Sequence, residues 1–226
     1  MYDLKSQGKV AKQASLTLMN IGTEAKNKAL LSIADALEAN VNAILQENEK
    51  DIKLLMENPA KASFADRLKL NEERISAMAD GVRKVASLPD PVGEVTGMVT
   101  RPNGLVIGKK RVPLGVIGII YEARPNVTVD AAVLCLKTSN ACILRGGSEA
   151  IHSNTILVAI MNKALHGAGF PAGSVSLVED TSREVAAEMM KLNEYIDVLI
   201  PRGGAGLIRT VVNTATVPVI ETGTGK

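Results

Sequence analysis

The chain has 226 residues, of which 46% are hydrophobic, 22% charged and 2% aromatic. That length accommodates one large domain or two ordinary ones, and the apolar content excludes a chain too polar to offset its own conformational entropy. Lys and Arg total 26 against 24 Asp and Glu, a net charge of +2; no basic field for nucleic acid or an anionic membrane follows from that balance.

No apolar run approaches the roughly 18 residues of a membrane span. The start, Met1-Tyr2-Asp3-Leu4-Lys5, lacks the basic-then-apolar pattern of a signal peptide. A soluble, cytoplasmic protein with no nucleic-acid or membrane partner is therefore expected. Cys135 and Cys142 form neither a disulfide framework nor a CxxC site, and His152 and His166 lie in no ligand cluster, so no zinc site is expected. With no Trp and two Phe, stacking platforms for bases are also missing.

The first ninety or so residues read as helices. Thr23 is a candidate N-cap for a helix over 24–47, where Ala29, Leu30, Ile33, Leu37, Val41, Ile44 and Leu45 recur at helical spacing. A second pattern runs over 49–56 and a third over 71–86, with Ile75, Met78, Val82 and Val85 on one face. Core packing is the plain reading of such stripes. Pro89, Pro91 and Gly93 then break the helical structure. Residues 97–100 and 105–108 flank a turn signalled by Asn103-Gly104 and read as a β-hairpin. With Lys109-Lys110-Arg111 the ribbon is basic. It is either a solvated surface hairpin or a subunit contact through unpaired edges.

After Pro113 the pattern becomes regular. Strands are expected at 116–120, 141–144, 174–178, 196–200 and 217–220, and helices at 128–136, 153–165, 182–192 and 207–215. Four strand–helix alternations with short polar joints predict βαβ units and an α/β, Rossmann-type parallel sheet. Near-continuous apolar strands fit a sheet covered on both faces.

Ligands of such sheets bind beyond the carboxyl ends of the strands. The residues there are Tyr121 to Asn126, Arg145-Gly146-Gly147-Ser148-Glu149, Glu179-Asp180-Thr181, Pro201-Arg202-Gly203-Gly204-Ala205-Gly206 and Glu221-Thr222-Gly223-Thr224-Gly225. Glycine lets backbone N–H groups approach a phosphate, and a following helix N-terminus adds donors. Arginine presents a fork matched to phosphate or carboxylate. One Arg-Gly-Gly is usually just a turn, but its repetition at successive strand ends points to a polyanion such as a dinucleotide. Strict GxGxxG and Walker A patterns are absent; the string GLVIGKK at 104–110 has the wrong spacing. After the second strand, where NAD proteins carry an acidic residue for the ribose, Arg145 and Ser148 favour NADP, with Glu149 as the counter-argument.

Three strings resemble the γ-glutamyl phosphate reductase (glutamate-5-semialdehyde dehydrogenase) family, within the aldehyde dehydrogenase superfamily: RVPLGVIGIIYEARPNVTVDAAVLCLKTSNACILRGGSE at 111–149, IPRGGAGLI at 200–208 and VIETGTG at 219–225. The resemblance runs from the N-terminal helices to the end of the chain. It implies an aldehyde-dehydrogenase-like fold, with cofactor-domain helices over 1–94, an oligomerisation hairpin over 95–113 and the NADP-binding sheet over 114–226. It implies NADPH-dependent reduction of L-glutamyl 5-phosphate to L-glutamate 5-semialdehyde, the second step of proline biosynthesis. In that family a cysteine thiolate expels phosphate to form a thioester, which hydride then reduces. Asn126 would help bind the oxyanion. Arg145, Gly146, Gly147, Ser148 and Glu149 would flank the adenosine ribose and its phosphate. Gly203 and Gly204 would lie near the dinucleotide phosphates, and Glu221 near the nicotinamide. Arg124 and Arg202, from charge and position, are candidates to hold the anionic substrate or cofactor, or else to form surface ion pairs. Implied partners are a second copy through the hairpin and glutamate 5-kinase.

The family's nucleophilic cysteine would fall just past Lys226, and Cys135 and Cys142 sit among apolar neighbours, where thiols are buried and inert. The expectation is a cofactor-domain fragment without activity of its own, marginally stable or self-associating because of uncovered apolar surface. The alternative is a catalytically dead dinucleotide-binding or subunit-pairing module. A general aldehyde dehydrogenase fits the strings at 123–126 and 144–149 less well.

Overall fold

The computed structural model describes residues 3–57, 65–122 and 124–223. Ala123, and Thr224, Gly225 and Lys226 of the glycine-rich end, lie outside the described residues. Five helices come first: α1 (Leu4–Leu18), α2 (Thr23–Ala39), α3 (Val41–Met56), α4 (Ala65–Leu68) and α5 (Glu72–Ser87). A two-stranded ribbon follows, β1 (Val95–Thr100) and β2 (Val106–Lys110). Strands and helices then alternate: β3 (Val116–Tyr121), α6 (Pro125–Lys137), β4 (Ala141–Arg145), α7 (Ile151–Gly167), β5 (Val175–Leu177), α8 (Arg183–Met189), β6 (Val198–Arg202) and α9 (Ala205–Thr214).

The helix expected over 24–47 is two helices. The backbone leaves helical geometry at Asn40 (φ −117°, ψ 23°), although the apolar stripe runs straight through. Thr23 is the first helical residue and Gly22 the N-cap; the Thr23 hydroxyl donates instead to Asp90 at 2.7 Å. Helix α1 lies within the stretch read as helical, although the sequence sets it no bounds of its own. Its buried face runs from Leu4 to Leu18 through Gly8, Ala11, Ala14 and Ser15, four small residues that let its middle approach closely. A β-carbon on Gly8 would stand 2.8 Å from Tyr195 Cβ.

The sheet is parallel, in the order β5-β4-β3-β6. All six residues of β3 are buried, as a central strand covered on both faces requires. The strand expected at 217–220 is reduced to one parallel bridge between Leu199 and Val219; Pro218 has no N–H and supplies only its carbonyl, to Leu199 N at 2.8 Å. Strand β6 begins two residues later than expected and takes Arg202 as its last residue.

From β3 the chain steps outward to β4 and β5, then returns to place β6 on the other side of β3. Right-handed crossovers put α6 and α7 on one face and α8 on the other. The reversal creates a switch point between β3 and β6. One apolar core extends from Leu4 to Val217, so the N-terminal helices and the sheet are packed together. The ribbon stands outside that core, with every residue of β1 and β2 exposed. Its turn uses Gly104 at φ +83°, with Gly104 N donating to Arg101 O at 2.9 Å, a backbone that favours glycine. Among the described residues no helix is long and apolar enough to cross a membrane, and no cluster of potential metal ligands occurs.

Candidate functional site

The register of the sheet brings the strand-end residues to one rim. Ile120 pairs with Arg145 on one side, and Tyr121 with Arg202 on the other. Glu221 follows the Val219 bridge by two residues, and its neighbour Thr222 donates through Oγ1 to Pro201 O at 2.6 Å. Arg145, Gly203 and Glu221 therefore share the carboxyl-end rim. The crevice at the switch point lies between Tyr121-Glu122 and Arg202-Gly203.

Glycine is tightly constrained at Gly146, while at Gly203 a side chain would have to displace the exposed Glu122 carboxyl. A β-carbon on Gly203 would stand 2.7 Å from Glu122 Cδ and 2.9 Å from its Oε1. Gly204 is the N-cap of α9, with no side-chain cap and no acidic residue in the first turn, so first-turn N–H groups remain available. A β-carbon on Gly146 would collide with Asn154 Nδ2 and meet the Tyr121 ring at 3.1 Å. Beneath Gly146 lies a buried chain: Tyr121 Oη and Thr128 Oγ1 are 2.6 Å apart, and Thr128 donates to Asn154 Oδ1 at 2.7 Å. Asn154 Nδ2 has no partner among the described residues. Burial pushes the Tyr121 phenol well above its ordinary pKa, overriding the Thr128 bond, so it stays protonated.

Arg145 is partly committed to the fold. Its Nη2 donates to the carbonyls of Thr181 (2.6 Å) and Ser182 (3.3 Å), tying β4 to the start of α8. Its Nε is buried without a partner among the described residues. Burial holds the guanidinium below its ordinary pKa, against the pull of Glu149 and Asp180. Ser148 and Glu149 form a 3₁₀ turn that begins after Gly147.

Arg124 and Asn126 lie off the rim, in a cavity of about 460 Å³ between the α4–α5 connection and the start of α6. Asn126 Nδ2 donates to Asp130 Oδ2 at 3.2 Å, so its amide is occupied within its own helix. Burial pushes the Asp130 carboxyl up, opposed by that bond and by the charge of Arg202, which links the cavity to the rim. The cavity also recruits Asp66, Arg67, Lys69 and Arg74, which the sequence reading did not single out. Their signal is the alternation in Asp66-Arg67-Leu68-Lys69-Leu70, which buries both leucines and turns the charges outward. The two cysteines are buried and free. The hydrogen bond between Cys142 and Cys135, which favours the Cys142 thiol over its thiolate, together with burial, raises Cys142 well above its ordinary pKa.

The aldehyde dehydrogenase family model matches residues 3–223. γ-Glutamyl phosphate reductase of Clostridium perfringens is 60% identical over 223 residues, covering 99% of this chain and 54% of that protein. The enzyme of the same name from Carboxydothermus hydrogenoformans is 59% identical over 225 residues, again 54% of its length. The crystal structure of γ-glutamyl phosphate reductase from Thermotoga maritima superposes with a TM-score of 0.96 at 45% identity, covering 99% of this chain and 54% of that one. An engineered glycolyl-CoA reductase with bound NADP+ shares the fold at TM-score 0.70 and 20% identity. The chain thus spans about half the length of the curated relatives it matches. With the family model covering nearly every residue, the chain belongs to the aldehyde dehydrogenase family.

Proposed function

We propose that this chain forms the nicotinamide-nucleotide half of a reductase that converts L-glutamyl 5-phosphate to L-glutamate 5-semialdehyde with NADPH and releases phosphate. The carrying observation is the gathering of Arg145, Gly203 and Glu221 on one rim at the switch point of the sheet, in a chain 60% identical to a γ-glutamyl phosphate reductase.

The residues present suit such a cofactor. Gly203 and Gly204 leave the first-turn N–H groups of α9 without a side-chain cap, for a pyrophosphate that would displace the Glu122 carboxyl; the buried Arg145 Nε lacks a partner among the described residues, and Gly147-Ser148-Glu149 lies beside it for the ribose and its phosphate. Glu221 stands at the nicotinamide end. The bound cofactor supplies a hydride. The chain's own part is to bind and orient: Arg202 and Arg124 counter the substrate's negative charge, and Asn126, once released from Asp130, donates to the developing oxyanion. Cys135 and Cys142 are too buried to be the nucleophile, so the 226 residues by themselves bind NADP(H) without turnover.

The exposed ribbon supports self-association. Met98, Val99, Val106 and Ile107 present apolar side chains on a ladder with no third strand among the described residues, and a second copy is its fitting partner. A kinase acting on the glutamate side-chain carboxyl, glutamate 5-kinase, would supply the labile acyl phosphate.

The experiment is a fluorescence titration of the chain with NADPH, alongside NADPH oxidation in freshly generated acyl phosphate. Saturable binding without oxidation is expected. Absence of binding removes the cofactor assignment, and clear turnover removes the claim about the cysteines.

A further inference from the structure

A second cluster of cationic side chains lies off the nucleotide rim. We propose that the cavity between the α4–α5 connection and the start of α6 is the subsite for the amino-acid end of the acyl phosphate, with Arg67 and Lys69 receiving the α-carboxylate and Asp130 the α-ammonium. This rests on the reductase reading above and adds to it the residues that select the substrate.

The cavity, about 460 Å³, is of the size that holds small metabolites. Its charges divide into spent and unspent. The Arg74 guanidinium donates to Asp66 O (2.5 Å), Lys69 O (2.6 Å) and Asp66 Oδ1 (3.0 Å), so it staples the connection. The side chains of Arg67 and Lys69 are exposed and make no hydrogen bond or ion pair among the described residues.

Their presentation is built into the fold. Asn48, itself buried, donates through Nδ2 to Leu68 O (2.9 Å) and accepts through Oδ1 from Leu70 N (2.8 Å). One amide thus grips the backbone on both sides of Lys69, while the side chains of Leu68 and Leu70 are buried. The grip removes backbone ordering at Lys69 from the cost of binding an anion, leaving the rotamer entropy of the two side chains to be offset by their charge-assisted hydrogen bonds.

Across the cavity, Asp130 is half-buried; among the described residues its carboxyl accepts one hydrogen bond, from the Asn126 amide, and feels the charge of Arg202. A carboxylate withdrawn from water in this way gains from an incoming cation, and an α-ammonium supplies one. Arg67, Lys69, Arg74 and Arg124 against Asp66 and Asp130 leave an excess of two positive charges on the walls. An amino-acid acyl phosphate, with its phosphoryl, carboxylate and ammonium groups, carries about two net negative charges at neutral pH. Arg124 lines the cavity, immediately precedes α6 and lies two residues from Glu122, so of the cavity's cations it is the closest in sequence to the rim and is assigned the phosphoryl end.

Isothermal titration of the chain with L-glutamate, glutarate, inorganic phosphate and NADP+ tests this. L-Glutamate should bind. The Arg67→Ala/Lys69→Ala double variant should weaken it by about tenfold or more, the loss of charge-assisted hydrogen bonds, and leave the NADP+ midpoint in place. Asp130→Asn should weaken L-glutamate but spare glutarate, which has no ammonium. No L-glutamate binding by the unaltered chain would overturn the proposal. So would a double variant that loses NADP+ and keeps L-glutamate, or one that loses only inorganic phosphate. Failure of NADP+ binding alone would strike the cofactor assignment and leave the subsite standing.

Discussion

The Glu122 carboxyl lies where a side chain on Gly203 would have to be, with Cδ 2.7 Å from that β-carbon position. An exposed carboxylate therefore covers the glycine pair in front of α9, the place assigned above to the dinucleotide phosphates. Two anions cannot share that space without cost. Glu122→Gln is expected to tighten NADP(H) binding several-fold at low ionic strength, with the gain shrinking as salt screens the pair. Gly203→Ala is expected to weaken binding by about tenfold, since its methyl must drive Glu122 toward the ligand. Fluorescence titration at two salt concentrations reads both. Equal affinities for Glu122→Gln and the unaltered chain at low salt would place the phosphates elsewhere.

The ion pair between Lys26 and Asp90 joins the start of α2 to the segment before the ribbon, with side chains only 2% and 8% exposed. Lys26 also donates to Ser139 Oγ at 3.0 Å, and Val92 N donates to Asp90 Oδ1 at 3.0 Å. Lys26→Met leaves a buried carboxylate unpaired and is expected to cost about 3–5 kcal/mol, whereas Lys26→Met/Asp90→Asn should cost distinctly less. Urea unfolding of the three proteins gives the comparison; a double variant no better than the single would show that the pair itself contributes net stability. Burial pushes the Asp90 carboxyl up, but the bonds from Lys26, Thr23 and Val92 N outweigh it and hold the pKa below its ordinary value. Its folded value thus lies below its unfolded one. The stabilisation is present above about pH 4 and is lost as pH falls through the folded value. Asp90→Asn is expected to flatten that acid limb of the stability profile.

The alternation of strands and helices after Pro113 is legible because β3, β4 and β6 are apolar runs buried on both faces. The bounds of helix α1 are less so, because between Leu4 and Leu18 its contact face is Gly8, Ala11, Ala14 and Ser15, which carry almost no hydropathy signal. The break at Asn40 escapes a periodicity argument because Leu37, Val41 and Ile44 keep one stripe on both sides of it. The rim residues could be read from sequence because parallel topology alone places them. The cavity could not: it joins residues 66–74 to residues 124–130, and only the packing of α5 against α6 brings them together. The tethering of Arg145 by two carbonyls and of Asn126 by Asp130 likewise depends on side-chain directions that no string of letters carries.

Thr128 is the middle member of the buried chain beneath Gly146, bonded to Tyr121 on one side and Asn154 on the other. Thr128→Val keeps the shape and strands two buried polar groups, each worth about 1–3 kcal/mol. The expected result is a lower urea midpoint with an unchanged slope. Asn154 and Tyr121 support Gly146 from below, so NADP(H) affinity should fall as well. A variant with normal stability would mean that ordered water satisfies the chain.

The ribbon offers the last test, and it separates association from folding. Val99 pairs with Ile107 and Met98 with Gly108 across the ladder, yet Met98 is 66% exposed and Ile107 47%. Substituting Met98→Lys and Ile107→Lys removes apolar contact area from any strand-to-strand or face-to-face pairing and adds charge repulsion between two copies of an already basic ribbon. Nothing in the core touches these side chains, so the thermal midpoint of the monomer should move by no more than a degree or two, in keeping with surface substitutions. Sedimentation velocity over a wide range of protein concentration should show the unaltered chain associating and the double variant remaining monomeric. If both sediment alike, the ribbon is a solvated hairpin and association must be sought on another face, such as the exposed Val212 and Ile220 near the end of the described chain.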